Sequence, residues 1–125
     1  MAQAQYAAKA FLDLRRAVAA NDIVRALEAV GFTQKQIAAA TGATDRSVRN
    51  WSATGAIRAA YDERIRELSE ISMLLSETMT ARGITQWFSA RNRLLGGQRP
   101  IDLIARDDAE AVRRAAASFV EGAYV

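Results

Sequence analysis

The pattern of apolar and polar positions predicts a chain built from helices. Apolar residues recur at every third or fourth position, which places them on one face of a helix. The first such stripe predicts a helix over about residues 3–20. It consists of Tyr6, Ala10, Leu14 and Val18, with Phe11 beside them. No stretch alternates apolar and polar residues with the β-branched enrichment that is typical of a strand.

Later stripes predict a series of shorter helices, most of them ending at a glycine. A break at Asn21 and Asp22 precedes a short helix that ends at Gly31. Further helices are predicted over about residues 34–41, 44–51, 57–79, 84–88, 100–105 and 108–122, with residues 89–99 irregular. The last helix is expected to bury Ala109, Val112, Ala116, Phe119 and Val120. Pro100 suits the first position of its helix, where a missing N–H costs nothing.

Composition agrees with an all-α fold. Half of the 125 residues are apolar, alanine is abundant, and there is one proline. Alanine has the best helix propensity and proline the worst. The length suits one compact domain. Within this unit we distinguish residues 1–58, the N-terminal helix and helix-turn-helix, from residues 59–125, the long helix and C-terminal helices.

The missing residue types exclude several classes of chemistry. The chain has neither cysteine nor histidine, so it has no disulfide, thiolate zinc site, cysteine nucleophile or histidine base. We therefore predict that it is not an enzyme and needs no cofactor or metal. No apolar run approaches the roughly 20 residues of a membrane span, and the N-terminus lacks a signal-peptide pattern. We expect a cytoplasmic protein without a membrane partner.

Residues Thr33 to Trp51 carry the most informative motif. Two short helices are predicted on either side of Gly42, with Ala38 four residues before it and Val48 six after. A small residue lets the helices cross closely, the glycine permits a positive φ, and the branched residue pins the second helix to the first. This spacing matches the helix-turn-helix of phage-repressor-like proteins. Small-residue hairpins that never bind DNA are the alternative.

The ends of both helices carry capping residues. Thr33 is the predicted N-cap of the first helix, with Gln36 at the capping-box spacing, and Thr44 is the predicted N-cap of the second. If the motif binds DNA, Thr33 and Gln34 approach phosphate through backbone N–H groups. We include Thr44 among the candidate DNA-binding residues.

The second helix of the motif would then enter the major groove. Its outward residues are Asp45, Arg46, Ser47, Arg49 and Asn50. Arginine can pair with guanine and asparagine with adenine through two hydrogen bonds. Asp45 opposes phosphate unless it caps the helix or reads cytosine. The alternative for the arginines is a solvated helix face.

The distribution of charge indicates a second candidate surface. The net charge is only +3, but no acidic residue lies between Thr78 and Ile101. This stretch contains Arg82, Arg91, Arg93 and Arg99. It is either a solvated basic loop or a contact surface for DNA or an acidic partner.

The C-terminal third resembles the toxin-binding domain of Xre/MbcA/ParS antitoxins. The matching features are Trp87-Phe88, then Asn92, the run LGGQRPIDLI over residues 95–104, and an amphipathic helix ending near Gly122 and Tyr124. With the upstream motif, the resemblance covers about residue 18 to the C-terminus. It implies a dimeric antitoxin that binds a RES-domain toxin, an NAD⁺-consuming enzyme, covers its active site with the C-terminal region, and represses its own operon on operator DNA.

The toxin contacts are expected in the basic stretch and the C-terminal tail. The candidate toxin-binding residues are Arg91, Arg93, Gln98, Arg99, Gly122, Tyr124 and Val125. A tyrosine beyond a helix end can fill a pocket with its ring. We also expect a homodimer, because repressor-type motifs read two half-sites related by a two-fold axis.

Two other functions remain open at this level. The chain can be a stand-alone transcriptional repressor whose C-terminal helices dimerise or sense a ligand. It can also be a helical adaptor with a vestigial helix-turn-helix. A neighbouring gene for a RES-domain protein favours the antitoxin over the first alternative, and specific retardation of its own promoter argues against the second.

Overall fold

The structure, a computed structural model, describes residues 2–53 and 55–122, with side chains from residue 8 onward. It consists of eight α-helices and one short 3₁₀-helix, with no β-strand in these ranges. The α-helices are α1 (Ala2–Arg16), α2 (Ala20–Val30), α3 (Gln34–Thr41), α4 (Asp45–Ala53), α5 (Ala59–Leu75), α6 (Ala81–Ser89), α7 (Pro100–Ala105) and α8 (Ala109–Gly122). The predicted all-α fold is confirmed. None of the helices in the described part is long and apolar enough to cross a membrane.

Helix α5 lies at the centre and contacts helices from both ends of the chain. It packs against α1, α2 and α3 from the N-terminal part of the chain and against α7 and α8 from the C-terminal part. Its residues Ile65, Leu68, Ile71 and Leu75 are buried, and their spacing of three or four places them on one face of the helix. Helix α3 also packs directly on α7, so one continuous core joins the helix-turn-helix to the C-terminal helices. The division at residue 58 remains a prediction.

The first helix ends earlier than predicted. Helix α1 stops at Arg16, and Asn21 and Asp22 lie inside α2 rather than in a break. Val18 is 79% exposed and does not continue the apolar stripe, whereas Ala10 and Leu14 are buried. The prediction for Val18 was wrong because the chain leaves the helix at Ala17–Ala19, which changes the direction of every later side chain. The side chain of Tyr6 lies outside the described residues.

Both ends of α5 and the exposure of Phe119 also differ from expectation. Ile57 precedes α5, and the segment after Leu75 turns toward Thr80, whose hydroxyl caps α6 by accepting from Gly83 N–H at 3.1 Å. Phe119, which we expected to be buried, is 42% exposed. The buried stripe of α8 runs through Val112, Ala116 and Val120 at spacing four. Phe119 lies at the edge of that stripe and so keeps part of its ring in solvent.

Candidate functional site

The helix-turn-helix forms with the predicted caps. Thr33 Oγ1 accepts from Gln36 N–H at 3.0 Å, and Gln36 Oε1 accepts from Thr33 N–H at 3.0 Å, which completes a capping box. Gly42 ends α3 with a φ of +80°, a left-handed conformation that glycine adopts without strain. Thr44 Oγ1 accepts from Ser47 N–H at 3.1 Å at the start of α4. The local sequence therefore determines where both helices begin.

The predicted contact residues hold the two helices together. Ala38 and Val48 are both buried, and Ile37 and Trp51 extend the same core. The ring of Trp51 also packs against Tyr61 of α5, with the ring centroids 5.4 Å apart. This packing fixes the orientation of α4 relative to the rest of the molecule.

Polar residues of α2 anchor the C-terminal end of α4, a role that sequence reasoning missed. Asn21 Nδ2 donates to the carbonyls of Trp51 at 2.8 Å and Gly55 at 2.9 Å. Arg25 Nη1 donates to the Ser52 carbonyl at 2.8 Å. These carbonyls belong to or follow the last turn of a helix, where no intrahelical donor remains. Asn21 and Arg25 are thus positioning residues for α4.

Most of the predicted DNA-binding side chains of α4 face solvent. Asp45, Arg46, Arg49 and Asn50 are exposed, whereas Ser47 is half-buried and its hydroxyl accepts from Thr44 Oγ1 at 3.1 Å. In the first helix Thr33 is exposed and Gln34 is half-buried. The capping box uses the N–H of Thr33, so that group is already bonded. The exposed polar side chains of the motif are therefore carried mainly by α4.

The second candidate surface is an ordered turn formed by residues 91–98, here called the basic turn. It contains a 3₁₀-helix, Arg93–Leu95, and was expected to be irregular. Asn92 and Gln98 pair as an isolated bridge, in which Asn92 N–H donates to the Gln98 carbonyl at 3.1 Å. Gly97 N–H donates back to the Asn92 carbonyl at 2.9 Å. Gly96 and Gly97 both adopt positive φ, which lets the turn close.

The arginines near this turn fall into two groups. Arg91 and Arg93 are exposed, and within the described part of the chain neither forms an ion pair. Arg99 instead forms a two-point pair with Asp102, from Nε and Nη2, both at 2.8 Å. These hydrogen bonds hold the pKa of Asp102 below its usual value. The spacing of three between Arg99 and Asp102 was a signal for this pairing.

The remaining toxin-binding candidates are placed only in part. Gln98 Oε1 accepts from Arg106 Nη1 at 3.2 Å, so this side chain is also engaged within the fold. Gly122 is exposed at the end of α8. Tyr124 and Val125 lie outside the described residues. Arg91 and Arg93 are therefore exposed and without an ion pair in the described part of the chain, whereas Gln98 and Arg99 are bonded to Arg106 and Asp102.

A groove between the start of α5 and α8 is lined by carboxylates and two arginines. Asp62 pairs with Arg66 at 2.5 Å, and Arg113 of α8 bridges to Glu70 at 3.3 Å. Burial, reinforced by the charge of Glu63, raises the pKa of Glu67. Among the described residues, no group of three acidic side chains is arranged to hold a metal ion.

The fold and its two exposed surfaces define a small all-helical protein with a helix-turn-helix before a long central helix. The chain is 51% identical over 112 residues to the "probable mycobacterial cidal antitoxin Rv3188" of Mycobacterium tuberculosis, covering 90% of this chain and 96% of that protein. It is 27% identical over 109 residues to the "mycobacterial cidal antitoxin MbcA" of Mycobacterium bovis and of M. tuberculosis, covering 86% of this chain and 96% of theirs. The chain belongs to the mycobacterial cidal antitoxin family.

The fold also matches a solved structure. A chain in the crystal structure of the M. tuberculosis MbcT–MbcA toxin–antitoxin complex aligns with a TM-score of 0.72 and 24% identity. The alignment covers 87% of this chain and all of that one. No family model matches the chain.

Proposed function

We propose that this chain is the antitoxin of a toxin–antitoxin pair and that it binds and inhibits a RES-domain toxin that consumes NAD⁺. The observation that carries the proposal is the 51% identity with a probable antitoxin over nearly the whole of both chains. The related MbcA occurs in a complex with the toxin MbcT. The RES-domain class of the toxin follows from the resemblance of residues 87–125 to the toxin-binding domain.

The basic turn and the C-terminal tail are the proposed toxin contacts. Arg91 and Arg93 project from an ordered turn and are available for an acidic partner. The tail beyond Gly122 carries Tyr124 and Val125, which we propose enter the toxin's active site. A tyrosine buries a large ring at low entropic cost while its hydroxyl keeps a hydrogen bond.

Co-expression with the neighbouring toxin gene tests the proposal. The two proteins should copurify, and the complex should consume NAD⁺ far more slowly than the toxin alone. Deleting Tyr124 and Val125 should preserve the complex while restoring NAD⁺ consumption at least in part. Full inhibition by the truncated chain would show that the tail does not block the toxin's active site. A failure to copurify, with both proteins folded, would reject the antitoxin assignment for this pair.

A second function, autorepression of the operon, is supported by the exposed face of α4. Its arginines and Asn50 project outward from a helix whose two ends are held by Thr44 and Asn21. Binding to a two-fold operator requires a homodimer. Light scattering should therefore give the mass of two chains at micromolar concentrations. A repressor without toxin partner is the alternative, and it would bind its promoter but leave the toxin active.

A further inference from the structure

The basic turn exposes a leucine that the fold does not use. Leu94 is 65% exposed, although the adjacent Leu95 is 7% exposed and belongs to the core. Within the same 3₁₀-helix, one leucine therefore holds the turn against α8 while the other points into solvent. A single exposed leucine on a protein surface is ordinary, so its significance depends on how it is held and what surrounds it.

The backbone at Leu94 is fixed before any partner binds. Asn92 Oδ1 accepts from the N–H of Leu94 itself at 2.9 Å, and the carbonyl of Asn92 accepts from Leu95 N–H at 3.0 Å and from Gly97 N–H at 2.9 Å. At the base, Gln98 N–H donates to the Leu95 carbonyl at 3.2 Å. A side chain presented by such a closed turn loses little backbone entropy on binding, which increases the affinity that one apolar contact can supply.

The surroundings of Leu94 are cationic and sterically open. Arg91 and Arg93 precede it in the turn, and no carboxylate in the described part of the chain pairs with either. Gly96 and Gly97 follow it, and a Cβ atom at either glycine would meet nothing within 4 Å. A partner can approach the backbone closely at these glycines. The partner that fits is an apolar pocket bordered by carboxylates, because cations at the rim favour an acidic border.

We propose that Leu94 is the apolar anchor of the toxin interface, seated in a pocket of the toxin whose rim carboxylates pair with Arg91 and Arg93. This inference rests on the proposed function. It adds an apolar contact, which the pattern of charges in the sequence does not indicate. Gln98 and Arg99 hold the turn from below through Arg106 and Asp102. In this proposal both residues position the turn, and a direct contact of either with the toxin stays a prediction.

Titration of the purified toxin with antitoxin variants tests this assignment. Leu94→Ala should raise the dissociation constant at least about tenfold, mainly through faster dissociation, and Leu94→Met should retain most of the affinity. The double variant Arg91→Ala/Arg93→Ala should instead slow association and flatten its dependence on salt. Val18→Ala is the matched control, since Val18 is exposed on a segment far along the chain. The melting temperature of each free variant should match that of the wild type.

Three outcomes would overturn the inference. Leu94→Ala binding with wild-type affinity would show that the leucine is not an anchor. A loss of the dimer in light scattering of free Leu94→Ala would show that a second copy of this chain covers the turn. Wild-type protein that does not bind the toxin at all would reject the proposed function, and that result is visible before any variant is made.

Discussion

Gln36 Nε2 donates a hydrogen bond to the hydroxyl of Ser89 across 2.8 Å and a second to the Thr85 carbonyl at 3.0 Å. The same side chain accepts from Thr33 N–H through Oε1. One glutamine therefore caps the first helix of the helix-turn-helix and attaches it to the last turn of α6. Helix α6 leads directly into the basic turn, so the two candidate surfaces share this connection.

Replacing Gln36 by alanine should lower the free energy of unfolding by about 1–2 kcal/mol, because a capping bond and two part-buried hydrogen bonds are lost. Chemical denaturation of the purified protein measures the difference. Lys35→Ala is the control, since Lys35 is exposed on the same turn. Equal stability of the two variants would contradict a structural role for the glutamine side chain.

The two halves of the Gln36 interaction differ in how far sequence could predict them. The capping box was predicted, because Thr33 and Gln36 are three residues apart and the geometry of a helix start is local. The bonds to Thr85 and Ser89 span 49 and 53 residues. Such distant partners depend on how α3 and α6 pack against each other, and this packing cannot be predicted from a local spacing of residues.

The same distinction explains the other successes and failures. The turn at Gly42 and the burial of Ala38 and Val48 follow from local spacing and were predicted. Asn21 was interpreted as part of a helix break. Its actual role depends on Trp51 of α4, 30 residues further along the chain, and so was missed. The pair between Arg99 and Asp102 was missed, because Asp102 stands just beyond the acid-free stretch in which Arg99 was considered. A toxin contact of Arg99 stays a prediction.

Replacing Glu67 by glutamine should stabilise the protein at neutral pH. Burial raises the pKa of Glu67, with Glu63 adding repulsion, and its Oε2 atom is buried without a hydrogen-bond partner in the described part of the chain. The folded state therefore binds a proton more tightly than the unfolded state. Stability is lost as pH rises from the ordinary glutamate pKa of about 4.3 through the raised folded pKa.

The melting temperature of Glu67→Gln against pH measures this effect. The melting temperature of the variant should be higher than that of the wild type at pH 7. The difference should shrink as the pH falls and Glu67 becomes protonated. Glu77→Gln is the control, because Glu77 is exposed after the end of α5. A Glu67→Gln protein less stable than the wild type at neutral pH would show that the carboxylate has a stabilising partner.

The pair between Arg64 and Asp107 should give the opposite pH dependence. Arg64 donates to both carboxylate oxygens of Asp107, at 3.0 and 3.2 Å, and to the Thr41 carbonyl at 2.6 Å. The hydrogen bonds and charge of Arg64 lower the pKa of Asp107. The stabilisation is present above the ordinary aspartate pKa of about 3.9 and is lost as the pH falls through the lowered value.

Asp107→Asn is the variant that isolates this charge, because Asp107 has a φ of 63° and asparagine tolerates the left-handed region. Its melting temperature should be below that of the wild type at pH 7, and the two should converge at strongly acidic pH. The effect should be modest, since Asp107 is exposed. A constant difference at every pH would point to lost geometry rather than lost charge.

Operator binding should depend on the positions of Arg46 and Arg49 on α4 and not only on their charge. The double variant Arg46→Ala/Arg49→Ala removes two exposed side chains without touching the core, so the melting temperature should not change. Its affinity for the promoter should fall, and the slope of affinity against salt should decrease by roughly one to two, since each lost phosphate contact releases one fewer counterion. The control is Arg15→Ala/Arg16→Ala, which removes the same charge from the exposed end of α1. If both double variants lose affinity equally, net charge rather than α4 drives binding. If neither loses affinity, α4 does not enter the groove.

Asn21→Ala tests the orientation of α4 separately, because it leaves every charge in place but frees the C-terminal end of α4. It should weaken specific binding while the salt slope stays at the wild-type value, as expected when the recognition helix is less well oriented.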